Sequence, residues 1–271
     1  MGTLYIVPTP IGNLEDITLR ALRVLREASL VAAEDTRTTG RLLAHFGINT
    51  PLTSYHEHNK LTKLDSILEA LATDDVALVS DAGTPGLSDP GYELIQAALA
   101  AGARVVPLPG PSAVIAALVA SGLPTDSFTY LGFLPRRANA RRAALAAVRS
   151  EPRTLVLYEA PHRLLDALAD IQAVLGNRLL CIARELTKLH EEIWRGMVSD
   201  AIAYYMQHPP RGEITLVVAG APTSEGRVWT GPEVRAALAE RLARGEARSA
   251  AARAVADESG WPRRDVYNLD V

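Results

Sequence analysis

Short apolar runs alternate with helical segments along most of this 271-residue chain. In its first half, strands are predicted at 4–9, 30–33, 76–80 and 104–108, and helices at 18–28, 38–46, 60–71, 92–101 and 111–120. Alternation of this kind is typical of βαβ units, whose strands form a mostly parallel sheet. Residues 1–122 therefore predict one α/β domain.

The alternation restarts after the turn-like sequence GLPTD at 122–126. Strands are predicted at 128–133, 154–158, 179–184 and 213–219, and helices at 138–149, 161–175 and 199–208. These elements predict a second α/β domain at 123–222, which ends in a polar linker at 221–226. Residues 228–271 predict a helical, helix-turn-helix-like segment, whose alternative role is only to pack against the rest of the protein.

Composition and charge limit the cellular compartment in which the protein is expected and the kinds of molecule it is expected to bind. A single cysteine, Cys181 in an apolar run, excludes an internal disulfide, fits a reducing compartment and predicts a buried thiol. The first strand follows Met1 almost directly, and the longest apolar helical run, 112–123, is too short for a bilayer. We therefore expect a cytoplasmic protein without membrane contact. The net charge of −3 shows no global basicity, but a local basic patch is enough to attract nucleic acid.

Several predicted strands end in loops rich in glycine and proline, above all DAGTPGLSDPG at 81–91. Ligands of open α/β sheets bind beyond the carboxyl ends of the strands. The loop PGPSA at 109–113 leads into a helix, so Ser112 and the first-turn N–H groups suit an anion; the alternative is that Ser112 only caps the helix. Neither a G-x-G-x-x-G turn nor a P-loop sequence occurs. A small organic ligand held by backbone atoms is therefore expected.

Seven motifs follow one another in an order that resembles the ribosomal RNA small subunit methyltransferase I family of the tetrapyrrole methylase superfamily. They are VPTPIGNLEDITLRAL, AAEDTRTTGRLL, SDAGTPGLSDPG, PGPSA, LGFLP, YEAPHR and ARELTKLHEE, and the resemblance runs from about Leu4 to the C-terminus. It implies an α/β fold in which two α/β domains enclose a ligand cleft, with a small helical C-terminal appendage. It also implies a homodimer that uses S-adenosylmethionine to methylate the 2′-hydroxyl of a cytidine in 16S rRNA of the small ribosomal subunit.

The same resemblance implies the residues that hold the methyl donor: Pro10, Ala82, Gly83, Thr84, Leu87, Ser112, Ala113 and Tyr158. Corrin and porphyrin methylases of the superfamily usually have a glycine-rich first loop and Gly-Asp-Pro in the second. This chain has PTPIGN and Gly83-Thr84-Pro85 instead. These departures argue against a tetrapyrrole substrate while leaving the donor site in place.

Charged residues at two strand ends are the candidates for chemistry. Glu34 and Asp35 are predicted to take the proton of the ribose hydroxyl. Arg37 and Lys188 are predicted to place the RNA phosphate or to stabilise the developing oxyanion. For Glu34, Asp35 and Arg37, the alternative is an internal ion pair that stiffens the loop.

A row of arginines without an acidic neighbour is the candidate RNA surface. Arg136, Arg137, Arg141 and Arg142 are predicted to contact RNA phosphates, and Arg184 is expected to add to them; the alternative is a solvated face. His56-Glu57-His58 and His190-Glu191-Glu192 lack the helical spacing of zinc motifs, and methyl transfer from a sulfonium needs no Lewis acid, so no metal is expected.

Three functions remain open at this point. The first is the rRNA 2′-O-methyltransferase that the resemblance implies. The second is a methylase of a tetrapyrrole or another small molecule, against which the arginine row and the helical tail argue. The third is a non-catalytic RNA-binding module, which would have no use for a complete set of donor loops.

Overall fold

The computed structural model describes residues 1–57, 59–222 and 229–270, except for the side chain of Lys60. The backbone divides into two compact units, Met1–Ala219 and Gly220–Val271. The described residues of the first unit form two five-stranded sheets, which lie on either side of residue 122 in the sequence. The α/β fold class is thus confirmed. The boundaries 1–122, 123–222 and 228–271 stay predictions, and residues 223–228 of the linker region lie outside the described part.

The first sheet is entirely parallel, with the strand order β3-β2-β4-β1-β5. Its strands are β1 Thr3–Ile6, β2 Leu30–Ala33, β3 Leu52–Ser54, β4 Val76–Val79 and β5 Arg104–Pro107. Its helices are α1 Leu19–Glu27, α2 Thr36–His45, α3 Lys60–Thr73, α4 Tyr92–Ala100 and α5 Ala113–Ser121. All four residues of the central strand β4 are buried, as expected where helices cover both faces of a parallel sheet.

The second sheet is mixed, with the order β6-β7-β10-β8-β9. Its strands are β6 Phe128–Phe133, β7 Thr154–Glu159, β8 Leu179–Arg184, β9 Glu192–Met197 and β10 Ile214–Val218; its helices are α6 Ala138–Ala147, α7 Leu164–Leu175 and α8 Val198–Gln207. Among the described strands of this sheet, β6 and β7 pair in parallel, whereas β10 runs antiparallel to both of its neighbours and β9 antiparallel to β8. The amino end of β10 therefore lies at the same edge as the carboxyl ends of β7 and β8.

Strands β3 and β9 were missed by the sequence prediction, and both lie at the edge of a sheet. β3 has only three residues, all half-buried. β9 carries Glu192 and Arg195 within a half-buried stretch, so its hydrophobic pattern is interrupted. An edge strand buries little apolar surface, which removes the signal that identifies central strands.

Helix α5 joins the two halves of the first unit. Val114, Ala117 and Leu118 pack in one buried cluster with Val156, Cys181, Ala183 and Val217 of the second sheet. At the other end of the helix, Arg195 of β9 donates to the carbonyl oxygens of Ala120 and Ser121. The thiol of Cys181 is buried within this cluster, as predicted. A helix of the first half thus lies fixed against the second sheet.

The second unit contains three helices among its described residues: α9 Gly231–Ala243, α10 Arg248–Ser259 and α11 Arg263–Tyr267. They pack around a small buried cluster that includes Val234, Val255 and Val266. The indole nitrogen of Trp261 donates to the carbonyl oxygen of Trp229 at 2.7 Å. Among the described helices of the chain, none combines the length and the apolar character that crossing a bilayer would require.

One predicted RNA-binding arginine is not at the surface. The side chain of Arg141 is only 6% exposed, and its Nε lies 2.6 Å from a carboxylate oxygen of Asp170 on α7. Arg142, which is 58% exposed, binds the other oxygen of the same carboxylate. Arg141 shares the buried face of α6 with Leu145, one helical turn later, so its position follows the helical period. The assignment of Arg141 to an RNA surface is therefore wrong, and Arg142 is partly engaged.

We predict that Asp170→Asn lowers the free energy of unfolding by about 3 kcal/mol or more, because it leaves the Arg141 guanidinium buried without its counter-ion. Burial acts to raise the pKa of Asp170, but the hydrogen bonds from Arg142 and Arg141 outweigh it and hold the pKa below its ordinary value. The stabilisation is therefore present above the ordinary carboxyl pKa and is lost as the pH falls through the lowered one. Urea denaturation of the wild-type protein and of Asp170→Asn, from neutral pH down to below the ordinary carboxyl pKa, measures this difference in the free energy of unfolding.

The matched control is Glu151→Gln, which breaks a pair between Glu151 and a half-exposed Arg153 and should cost less than about 1 kcal/mol. If Asp170→Asn and Glu151→Gln lower the free energy of unfolding by the same amount, burial of Arg141 and Asp170 adds nothing to the strength of their interaction.

Candidate functional site

A cavity of about 410 Å³ lies where the loops of the two sheets meet. Every predicted donor residue except Pro10 lines it: Ala82, Gly83, Thr84, Leu87, Ser112, Ala113 and Tyr158. The second sheet contributes residues at the ends of β6, β7 and β8 and at the start of β10, which share one edge. Pro10 lies instead in a neighbouring cavity of about 320 Å³.

Backbone hydrogen bonds hold the loop after β4 against the loop after β1. Thr9 and Gly83 exchange two N–H···O bonds of 2.9 Å. The Thr9 hydroxyl donates to the carbonyl oxygen of Ser80, and the Thr84 hydroxyl donates to that of Pro111 in the loop before α5. Gly83 has φ +78°, a left-handed conformation that glycine adopts without strain. Three loops of the first sheet therefore form one rigid wall of the cavity.

Ser112 occupies the N-cap position of α5, yet its side chain makes no capping hydrogen bond. The hydroxyl therefore does not serve as a simple cap, which was the alternative to ligand binding. Ser112 and Ala113 both line the cavity, where the first-turn N–H groups of the helix add a partial positive charge. This end of the cavity suits a carboxylate or a phosphate.

Most charged groups of the cavity are carboxylates. Among the described residues, those that line it are Glu34, Asp81, Asp89, Glu159, Glu185 and Glu213, with Lys188 as the accompanying cation. The Nζ of Lys188 lies 2.8 Å from Glu185 and 3.7 Å from the largely exposed Glu213. Burial lowers the pKa of Lys188, but the hydrogen bond that Lys188 donates to Glu185 and the negative charge of Glu213 outweigh it and raise the pKa overall. Away from Lys188, the cavity favours a positively charged ligand.

Asp89 is the carboxylate most affected by these neighbours. Its pKa is raised to about 7, mainly because it is desolvated and also because Glu34 and Asp81 are negative; a hydrogen bond with Ser80 opposes this. Desolvation likewise raises the pKa values of Glu34 and Asp81. A carboxyl group that titrates near neutrality is able to accept a proton during a reaction and release it afterwards.

The loops after β2 and β4 are joined through the same carboxylates. The backbone N–H of Asp35 donates to Asp81 at 3.1 Å, and the backbone N–H of Asp81 donates to Glu34 at 3.3 Å. Glu34 therefore both lines the cavity and positions the loop that carries Asp81.

Asp35 and Arg37 do not line the cavity. Asp35 accepts the N–H of Arg37 as the N-cap of α2, and its carboxylate lies 2.7 Å from the Arg37 guanidinium. The hydrogen bond from this guanidinium holds the pKa of Asp35 well below its ordinary value. The structure thus supports the alternative of a local ion pair for these two residues. Of the four predicted catalytic residues, it brings Glu34 and Lys188 to the cavity.

Aromatic side chains form another wall. Tyr158 packs edge-on against Tyr130 at 5.6 Å and lies 5.3 Å from Phe133, between ring centroids. The hydroxyl of Tyr130 is hydrogen-bonded to Ser88 at 2.6 Å, which joins the loop after β4 to the second sheet. Phe133 lines the cavity and is 55% exposed, so part of its ring is free to contact a ligand.

Backbone strain and a buried acid also mark this site. In the described part of the chain, the non-glycine residues with left-handed backbone are Ser88, Glu185 and Thr187, all in loops at the cavity. Strain of this kind concentrates at functional sites.

Glu159 is buried; one carboxylate oxygen accepts the N–H of Ala160 at 2.8 Å, whereas the other has no hydrogen-bond partner among the described atoms.

The remaining predicted RNA-binding residues divide by exposure. Arg136 and Arg137 are exposed, follow shortly after Phe133 and form no ion pair within the described residues. Arg184 is half-buried and pairs with Glu192 on the neighbouring strand. Among the predicted RNA-binding arginines, Arg136 and Arg137 are therefore the two that are exposed and unpaired within the described residues.

The described residues contain no group of three or more His, Cys, Asp or Glu that could hold a metal ion. His58 lies outside the described residues. Glu192 is engaged by Arg184 and Tyr204, and Glu191 accepts the N–H of Thr187.

Four residues that line the cavity were not predicted from the sequence: Asp81, Asp89, Glu213 and Phe133. Asp81 and Asp89 both lie in the glycine-rich loop 81–91, so proximity to the predicted donor residues was the available signal. Glu213 carried none, because it reaches the site only through the antiparallel pairing of β10.

Comparisons with known proteins place the fold and the family. The family described as Tetrapyrrole (Corrin/Porphyrin) Methylases matches residues 3–202. A protein of Synechocystis named Ribosomal RNA small subunit methyltransferase I is 50% identical and covers 100% of this chain and 98% of its own. A Pseudomonas aeruginosa protein of the same name is 51% identical, with 98% and 95% covered.

Among solved structures, uroporphyrin-III C-methyltransferase from Thermus thermophilus, complexed with S-adenyl homocysteine, is similar in fold. Its TM-score is 0.57 at 20% identity, and the match covers 80% of this chain and 97% of that one. Because the sequence similarity is far greater to the Synechocystis and Pseudomonas proteins, the chain belongs to the ribosomal RNA small subunit methyltransferase I family, within the tetrapyrrole (corrin/porphyrin) methylases.

Proposed function

We propose that this protein transfers a methyl group from S-adenosylmethionine to the ribose 2′-hydroxyl of a cytidine in 16S rRNA of the small ribosomal subunit. The observation that carries the proposal is the single cavity where nearly all predicted donor residues meet a cluster of carboxylates. Relatives of about 50% identity over nearly the full chain are named as small-subunit rRNA methyltransferases, which supports rRNA as the substrate class.

The residues present fit a sulfonium donor. The Ser112 hydroxyl and the first-turn N–H groups of α5 suit its amino-acid carboxylate, because the hydroxyl makes no capping hydrogen bond to those N–H groups. Asp81 and Glu34 suit the ammonium and sulfonium charges. The carboxylate of Glu159 is already paired with Arg163 at 3.4 Å, and its second oxygen is available as a hydrogen-bond acceptor. A volume of about 410 Å³ with Ile11, Leu87 and Leu186 in its wall is adequate for a nucleoside-sized ligand. When bound, this donor supplies an electrophilic methyl group, and the chain supplies position and proton transfer.

Asp89 is our candidate for the group that takes the hydroxyl proton. It lines the cavity beside Ser88, which the Tyr130 hydroxyl holds in place, so its backbone is fixed from both halves of the unit. Glu34 remains a second candidate at the same cavity. Lys188 is held by Glu185 and carries the positive charge that would stabilise a developing alkoxide. The methyl carbon of the donor and the 2′-oxygen of the ribose must also be aligned, and the rigid loops of the cavity hold the donor for that alignment.

The cytidine 2′-position and the homodimer stay predictions of the resemblance, and the cytoplasmic location stays a prediction from the sequence composition. The test is to incubate the purified protein with tritiated S-adenosylmethionine and small ribosomal subunits, and to digest the labelled RNA to nucleosides. Label in 2′-O-methylcytidine is expected. Label on a base would contradict the position, and transfer to a tetrapyrrole but not to RNA would favour the small-molecule alternative.

We predict that Ser112→Asp abolishes binding of S-adenosylmethionine in calorimetry, because it places a carboxylate where the donor's own carboxylate is expected. Ser112→Ala is the control and should weaken binding by roughly tenfold to 100-fold, the loss of one hydrogen bond to a charged group, without abolishing it. A bulky residue at Gly83 should also prevent binding without unfolding the chain. Unchanged affinity in Ser112→Asp and in the Gly83 variant would contradict the donor site.

We predict that Asp89→Asn slows single-turnover methyl transfer by about 100-fold or more while leaving donor affinity largely unchanged. The wild-type rate should rise as the pH rises through about 7, where Asp89 loses its proton given its raised pKa, and the variant should lack this rise. Asp35→Ala is the comparison, since Asp35 pairs with Arg37 outside the cavity. A large loss in Asp35→Ala with none in Asp89→Asn would reverse the assignment.

We predict that Arg136→Glu and Arg137→Glu weaken RNA binding and flatten its dependence on salt, with donor affinity unchanged. Each phosphate contact that is lost should lower the log–log slope by about 0.7 to 0.9. Arg153→Glu is the control, because Arg153 is already paired with Glu151. If all three variants give the wild-type slope, Arg136 and Arg137 belong to a solvated face.

A further inference from the structure

The second cavity, of about 320 Å³, lies beside the main one and is formed by the first sheet alone. Its walls are the loop after β1, including Gly12, and one face of α2, including Thr38, Arg41 and His45. These three α2 residues follow one another at helical spacing, so they share a side of the helix. Asp81 belongs to both cavities, which makes the two spaces neighbours.

The charge of the lining reverses between the two cavities. The main cavity is lined mostly by carboxylates, whereas Arg41 and His45 contribute the nitrogen donors of the second. Asp81 is the acidic side chain among the described lining residues of the second cavity, and it already accepts the backbone N–H of Asp35. The second cavity is therefore the part of this region where an anion is favoured.

Arg41 is available to such an anion. Its side chain is exposed and forms no ion pair within the described residues; its Nε makes one long contact, 3.4 Å, to the carbonyl oxygen of Arg37. Arg37 differs, because its guanidinium is held by Asp35. His45 packs edge-on against Phe46 at 4.8 Å between ring centroids, which limits the orientation of its ring.

We propose that the second cavity binds a backbone phosphate of the RNA, next to the ribose that enters the main cavity. The inference rests on the proposed function and adds a recognition site to it. The 2′-hydroxyl of an internal nucleotide has a phosphodiester on the neighbouring 3′-oxygen, so an RNA whose internal ribose reaches the methyl donor brings an anion with it. The carboxylates of the main cavity repel that anion, and the Arg41 guanidinium with the Thr38 hydroxyl provides donors for it close by.

The test compares Arg41→Ala with Arg104→Ala. Arg104 is also exposed and forms no ion pair within the described residues. It is the first residue of β5 and so lies at the amino ends of the parallel strands, whereas the second cavity lies at their carboxyl ends. Binding of a small-subunit rRNA fragment is measured by fluorescence anisotropy over a range of salt concentrations. Methyl transfer gives kcat and KM for RNA, and calorimetry gives the affinity for S-adenosylmethionine.

For Arg41→Ala we expect a KM for RNA raised roughly tenfold, a kcat within about twofold of wild type and an unchanged donor affinity. The log–log salt slope should fall by about 0.7 to 0.9, the value for one phosphate contact. Arg41→Lys should recover part of the affinity, because it restores the charge without the planar fork. Arg104→Ala should behave as wild type.

An unchanged slope and KM in Arg41→Ala, or equal losses in Arg104→Ala, would overturn the proposal. A free anion as the true ligand is tested with inorganic phosphate: Arg41-dependent phosphate binding without Arg41-dependent RNA binding would also overturn it. Failure of the proposed function looks different. In that case the wild-type protein transfers no methyl group to RNA at all, while anisotropy still reports whether RNA binding depends on Arg41.

Discussion

The burial of helix α5 against the second sheet is the interaction on which the site depends. The helix follows directly from β5 of the first sheet, yet its apolar residues pack against β7, β8 and β10. Because its N-terminus carries Ser112, this packing sets the distance between the donor loops of one half and Tyr158 and Glu185 of the other. Apolar burial of this helix thus shapes the cavity, and the hydrogen bond between Ser88 and Tyr130 adds a second connection between the two halves.

Clustering several carboxylates in one partly desolvated cavity costs folding free energy, because desolvation, and to a smaller extent the neighbouring negative charges, raise their pKa values. The raised pKa values of Glu34, Asp81 and Asp89 are the sign of that cost. A ligand with a positive charge relieves it, so the same arrangement that destabilises the free protein strengthens the binding of a sulfonium. Strained backbone at Ser88 and Glu185 points in the same direction, because it holds side chains in a geometry that the isolated loops would not adopt.

The sequence predicted the central strands, nearly all helices and the glycine- and proline-rich loops that line the cavity, because these features are local; the individual donor residues were implied by the family resemblance and stay predictions. A buried strand followed by a glycine-rich loop is visible in ten residues, and the strand order of a parallel sheet brings such loops to one edge. What it missed depends on pairing between distant segments. Glu213 meets Lys188 only because β10 runs antiparallel to β8, and Asp170 removes Arg141 from the surface only because α7 packs on α6. Neither partner is visible from the spacing of residues along the chain.

The two kinds of error have a common physical origin. An arginine row without acidic neighbours in sequence predicts a free positive surface. Ion pairs, however, form between residues that are close in the folded structure, and Asp170 contacts Arg141 although it lies 29 residues away in the sequence. Conversely, Arg37 looks like a catalytic cation although its partner, Asp35, is two residues away and satisfies it locally. Arg136, just before α6, and Arg41, on the side of α2 that faces the loop after β1, form no ion pair within the described residues. A substrate that carries both a reactive hydroxyl and a phosphate requires this separation of charge, with carboxylates around the donor and unpaired guanidinium groups just outside them.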